Sequence, residues 1–114
     1  MNIHYLEFVT EDVDALCTPY EAMHGVTFGE PDAPLGGART ATLADGSMLG
    51  IRAPLSETET PLSRAYFLVD DIEAAAATAA AAGAVVALPP TEIAGHGTCA
   101  ILIQGGIQSG LWQR

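Results

Sequence analysis

Lysine is absent from this 114-residue chain, and four arginines stand against 14 acidic residues, giving a formal net charge of -10. A surface of that sign repels both a phosphate backbone and an anionic membrane, so neither nucleic acid nor a membrane surface is expected as a partner. No apolar run approaches the roughly 20 residues a spanning helix needs, and the longest, Ala74 to Ala82, is interrupted by Thr78. The N-terminus, Met1-Asn2-Ile3-His4, has neither a basic nor an apolar leader pattern, and a cytoplasmic location is expected. Two cysteines, Cys17 and Cys99, permit one bridge at most; reduced thiols are expected. Aromatic residues make up 6% of the chain, and 20 of its residues are alanine, which implies a core wide in extent and thin in bulk. A chain this short buries roughly two-thirds of its unfolded surface around one core and cannot build two.

What is present is a repeat. Phe8-Val9-Thr10-Glu11-Asp12-Val13-Asp14-Ala15 is echoed 59 positions later by Phe67-Leu68-Val69-Asp70-Asp71-Ile72-Glu73-Ala74. Gly25 returns as Gly83, while Gly37, Gly46 and Gly50 return as Gly97, Gly106 and Gly110 at an offset of 60. Two copies cannot form a solenoid, so they are read as a duplicated supersecondary unit sharing one sheet or core. The first module covers about residues 3–53, a linker 54–63 and the second module 64–113, all within a single domain 1–114.

Each module reads as strand, helix and three strands. In the first, Ile3 to Val9 is a strand, and Glu11, Asp12 and Asp14 favour a helix start through the macrodipole. Thr18-Pro19-Tyr20-Glu21 matches a capping box with proline at the first helical position, which predicts a kink or restart at Thr18. Val26 to Phe28 is read as a short strand, and Ala38 to Ala44 and Ser47 to Ala53 as a hairpin around Asp45-Gly46. The second module repeats the order with strands at 65–69, 85–88, 98–103 and 107–112 and a helix over 71–82. The alanine content of that helix favours close approach to its sheet. Glu57 and Glu59, in the polar linker, are expected to be solvated.

This duplicated pattern resembles the vicinal oxygen chelate superfamily, which includes glyoxalase, bleomycin-resistance and extradiol-dioxygenase proteins. The likeness extends from Ile3 to Gln113 and is most specific over Phe67 to Ala74 followed by Ala82-Gly83. It implies an α+β fold of paired βαβββ modules that form an open, curved mixed sheet around a cleft with the helices outside, and a homodimer. It also implies a divalent metal ion that holds two neighbouring substrate oxygens. The positions that the resemblance assigns to metal ligands are Tyr5 and Arg64 on the first strands and Gly50 and Gly110 on the last strands. Glycine has no side chain to coordinate with and arginine repels a cation, so no cofactor is expected. A shift of one residue would substitute His4 for Tyr5, but would turn the strand's apolar set to the wrong face. His96 and Cys99, three apart at the start of a strand, read as a surface histidine and a core thiol.

Strand alternation from those four positions gives the expected ligand-binding cleft: Tyr5, Glu7, Met48 and Arg52 from the first module, and Arg64, Tyr66, Gln108 and Trp112 from the second. The arginines either pair with Glu7 or await an anionic group, and Tyr66 and Trp112 either stack on a planar ligand or fill the core. No nucleophile, base and orienter constellation and no phosphate-binding glycine motif is present, so catalytic residues stay unassigned. Asp12, Asp70 and Asp71 read as helix-start residues. The leading expectation is a protein that binds a small organic molecule without the family's metal. The alternatives are a metal-dependent lyase, isomerase or dioxygenase with unorthodox ligands such as His4, Glu7 or His96, and a dimeric assembly module without a ligand.

Overall fold

Both copies of the repeated segment open with a strand that feeds a helix, and the chain builds two units from them. The computed structural model describes residues 1–114. In chain order the elements are β1 (Ile3–Val9), α1 (Val13–His24), a single 3-10 turn (Ala33–Leu35), β2 (Arg39–Thr42), β3 (Met48–Arg52), β4 (Leu62–Leu68), α2 (Ile72–Ala81), β5 (Val85–Ile93), β6 (Gly97–Gln104) and β7 (Ile107–Gln113). The first unit is Tyr5–Ser63; the second is Arg64–Arg114 together with Met1–His4. The first residues join the second unit through its backbone, because the Leu68 N–H donates to the Asn2 carbonyl at 2.8 Å.

In the first unit β3 is central, parallel to β1 and antiparallel to β2. The register sets Leu6 opposite Leu49 and Phe8 opposite Ile51. Period-two alternation therefore gives these four residues one face, and Cys17 of α1, Phe28 and Ala41 complete the core there. The β2–β3 hairpin closes at Asp45-Gly46 as expected, with the Leu43 N–H donating to the Ser47 carbonyl at 2.8 Å and Gly46 at φ 86°.

Two local features expected from the sequence, a helix restart at Thr18 and a strand at Val26 to Phe28, are not found in this unit. The helix does not restart at Thr18: α1 continues through Pro19, and the Thr18 hydroxyl bonds back to the Asp14 carbonyl at 3.2 Å instead of capping a new turn. Val26 to Phe28 does not form a strand, and at its end side chains take both backbone groups of Phe28. The Phe28 N–H donates to Glu21 Oε2 at 2.9 Å, and Arg39 donates to the carbonyls of Gly29 (3.0 Å) and Phe28 (3.3 Å). The first copy of the module is thus one strand short.

The second unit orders its strands β4-β7-β6-β5, with β4 parallel to β7 and the other pairs antiparallel. The helix α2 packs on β5, β6 and β7. Its start is fixed twice: Asp71 accepts from the Ala74 N–H at 3.0 Å, and Gln113 Oε1 accepts from the Ile72 N–H at 2.8 Å. Two strands outrun their expected bounds. β4 begins at Leu62, inside the expected linker, and β5 runs on through Pro89-Pro90 to Ile93. An edge strand tolerates proline, and the register shifts between Val86 and Thr91 accommodate it.

Candidate functional site

The eight cleft residues named from the sequence fall into two rows, one per unit, with matching positions. In the first unit Tyr5 lies opposite Met48 and Glu7 opposite Gly50, on the sheet face turned away from α1. In the second unit Tyr66 lies opposite Gly110 in the parallel β4–β7 pair. Offsets of 59 and 60 relate the rows: Glu7 corresponds to Tyr66, Met48 to Gln108, Gly50 to Gly110, and Arg52 to Trp112.

The first row is organised by Arg52. This guanidinium donates from Nε to Glu7 Oε2 at 2.8 Å and, as a fork, from Nη1 and Nη2 to the two carboxylate oxygens of Glu59, each at 2.8 Å. The Arg52 and Glu7 side chains are only 6% and 7% exposed, so this is a desolvated ion pair. The Glu59 hydrogen bonds, followed by those of Glu7, hold Arg52 even more firmly protonated than an ordinary arginine. Glu59, expected in solvent, is instead clamped. It also accepts from the Leu55 N–H at 2.7 Å and so fastens the 54–63 segment to the sheet. No sequence signal marks it: one acid among several in a proline-bracketed stretch carries no register.

The second row is organised by Arg64 and the aromatic rings. Arg64 donates to Gln108 Oε1 from Nη2 at 2.6 Å and from Nε at 3.2 Å, and from Nη1 to the Tyr66 hydroxyl at 3.3 Å. Tyr66 and Trp112 meet edge to face with centroids 5.6 Å apart, and the Trp112 Nε1–H donates to the His96 carbonyl at 3.0 Å. Arg64, Tyr66 and Trp112 are buried, while Gln108 is exposed, so the polar end of this row reaches solvent through Gln108.

The four positions assigned to a divalent ion do not fit one. A Cβ at Gly50 would overlap the Tyr5 hydroxyl, and a Cβ at Gly110 would overlap the Tyr66 ring. The space in which a ligating side chain would begin is therefore filled by a neighbouring aromatic in each unit. Arg64, at a third position, brings a positive charge. No group of three His, Cys, Asp or Glu side chains is arranged to hold a metal ion. His4 packs its ring on Trp112 at 5.6 Å between centroids, and Cys99 lies in the core. His96 is half-buried, with its carbonyl engaged by the indole.

No helix is long and apolar enough to cross a membrane. No family model matches the sequence, and no curated protein matches it. Solved structures do. Methylmalonyl-CoA epimerase from Streptomyces coelicolor in complex with 2-nitronate-propionyl-CoA superposes with a TM-score of 0.72 at 18% identity, over 99% of this chain and 96% of that one. A methylmalonyl-CoA epimerase in complex with methylmalonyl-CoA and NH4+ gives 0.71 at 19% identity, over 97% and 92%. A Legionella pneumophila structure described as an NAD-dependent benzaldehyde dehydrogenase gives 0.67 at 11% identity, over 96% of both chains. Likeness across such low identity speaks for architecture and leaves chemistry open: the chain has the α+β fold of the vicinal oxygen chelate superfamily.

Proposed function

We propose that this protein binds a small organic molecule on the vicinal oxygen chelate fold without the chelated metal, and that it does so as a cytoplasmic homodimer. The observation that carries the reading is the paired substitution of glycine at positions 50 and 110, each with a tyrosine ring folded into the vacated space. A scaffold still using a cation there would need donor atoms at those positions. Tyr5, Glu7, Met48 and Arg52 of the first unit and Arg64, Tyr66, Gln108 and Trp112 of the second are the proposed ligand-facing residues. Within this set Arg64 and Gln108 are the recognition pair: five guanidinium donors in a fixed fork suit an acceptor-bearing group, and Gln108 gives it a path from solvent. The neighbours' bound CoA esters support a small-molecule role and do not specify this chain's ligand.

Elemental analysis of the purified protein together with native mass spectrometry tests the reading. The expected result is a dimer without stoichiometric transition metal, carrying or accepting a small organic ligand whose affinity falls in Arg64→Gln. One tightly held metal ion per chain, lost with activity on chelation, would overturn it.

A further inference from the structure

A cavity of about 580 Å³ opens in the first unit on the sheet face that carries α1, opposite the face of Tyr5 and Glu7. Its floor is Leu6 and Leu49, its walls are Val26 and Leu43, and Tyr20 and His24 of α1 stand along one side. It exists because α1 stops too soon to cover its sheet. The helix ends at His24, and Gly25 turns it off in the left-handed conformation at φ 64°. Cys17 of α1 is buried with Phe28 and Ile51 in the core, whereas Leu6 stays half-buried and Leu43 is 38% exposed. The Tyr20 ring packs on Phe8 and on His24, with centroids 5.4 and 5.6 Å apart. The volume lies within the range of small-molecule sites, roughly 300–1,000 Å³.

We propose that this cavity is a binding site for a lipophilic organic cation, an aromatic or alkyl amine whose apolar body lies on Leu6 and Leu49. The charge of the occupant follows from the helix end at the cavity and from the chain's net charge. His24 and Gly25 belong to the C-terminal end of α1, so the negative pole of the helix opens on the cavity. The lining contains no lysine, arginine or acid, and its one basic side chain is that of His24 in the last turn of α1. The chain's net charge of -10 raises the local concentration of cations and lowers that of anions. This site shares no residue with the ligand-facing rows proposed above, and it stands whether or not those rows bind anything.

Fluorescence anisotropy and calorimetry on the full chain test it with three probes: cationic rhodamine 6G, neutral N-phenyl-1-naphthylamine and anionic anilinonaphthalene sulfonate. One rhodamine per chain is expected, bound about tenfold or more tighter than the sulfonate. Binding should survive salt at about 0.5 M, where surface attraction is screened within about 5 Å. Val26→Trp fills the cavity and Leu43→Arg places a positive charge at its rim. Each should weaken rhodamine about tenfold with melting temperature retained. Ile107→Arg, the same charge change at an exposed position in the second unit, should leave it unaltered. Preference for the sulfonate, binding lost in salt, or equal weakening by Ile107→Arg and Leu43→Arg would overturn the proposal.

Discussion

The hydroxyl of Tyr5 occupies the space that a side-chain carbon on Gly50 would require. Tyr5 is 1% exposed, so neighbouring groups hold its ring in place. At Gly110 the obstruction is the Tyr66 ring from Cγ outward, close to the root of that side chain. Neither glycine has a left-handed φ, so the demand for glycine is steric, not conformational.

Gly50→Ala and Gly110→Ala should each destabilise the protein by about 1–3 kcal/mol, the usual range for overpacking a filled site. Gly110→Ala should cost more, since Tyr66 can swing only its far end and the overlap lies near its base. Urea midpoints at unchanged slope measure this. In a double-mutant cycle, Tyr5→Ala with Gly50→Ala should cost less than the sum of the single changes; strict additivity would contradict the overlap.

Arg52→Met should be the most damaging change in the ionic cluster, by about 3–5 kcal/mol, because it strands the Glu7 carboxylate at 7% exposure. Glu59→Gln should cost only about 1.5 kcal/mol, since this carboxylate is 21% exposed and Glu7 remains to pair with Arg52. Arg52→Lys should behave nearer to Arg52→Met than to wild type, because an ammonium cannot hold both carboxylates with a fork. Chemical denaturation ranks the three, and limited proteolysis within 54–63 should accelerate in Glu59→Gln.

The two helix starts should respond differently to the same substitution. Asp71 accepts from the Ala74 N–H and caps α2, so Asp71→Ala should lose about 1 kcal/mol. Asp12 makes no side-chain capping bond, so Asp12→Ala should cost no more than a few tenths of that. Thermal melts of the two variants provide the comparison.

Burial pushes the Cys17 thiol above the usual range, outweighing the opposite pull of Arg39. The folded chain therefore holds this proton more tightly than the unfolded chain. The corresponding stability is fully present below the ordinary thiol pKa of about 8.5 and declines as pH rises beyond it. Melting temperatures between about pH 7 and 10 should fall more steeply for wild type than for Cys17→Ala. Alkylation of Cys17 at about pH 8 should be slow in the folded protein and rapid in urea.

Several features were legible in the residues alone. The offset of 58 to 60 identifies the duplication, because a repeated supersecondary unit keeps its helix-start acids and turn glycines wherever local geometry requires them. β1 spans Ile3–Val9, the run its alternation predicts, and the hairpin closes at Asp45-Gly46, since alternation and turn chemistry are properties of adjacent residues. Failures came where a side chain from far along the chain intervened. Glu21 and Arg39 take the N–H and carbonyl of Phe28, and Arg52 draws Glu59 out of solvent.

The sequence by itself determined which positions share a sheet face, and therefore that glycine stands at 50 and 110 where the resembled family would place donor atoms. Only the tertiary structure decided what fills those gaps and where open space remains. Ring placement, the fork of Arg52 and the cavity beyond the end of α1 depend on packing between residues distant in the chain, and local periodicity carries no record of that packing.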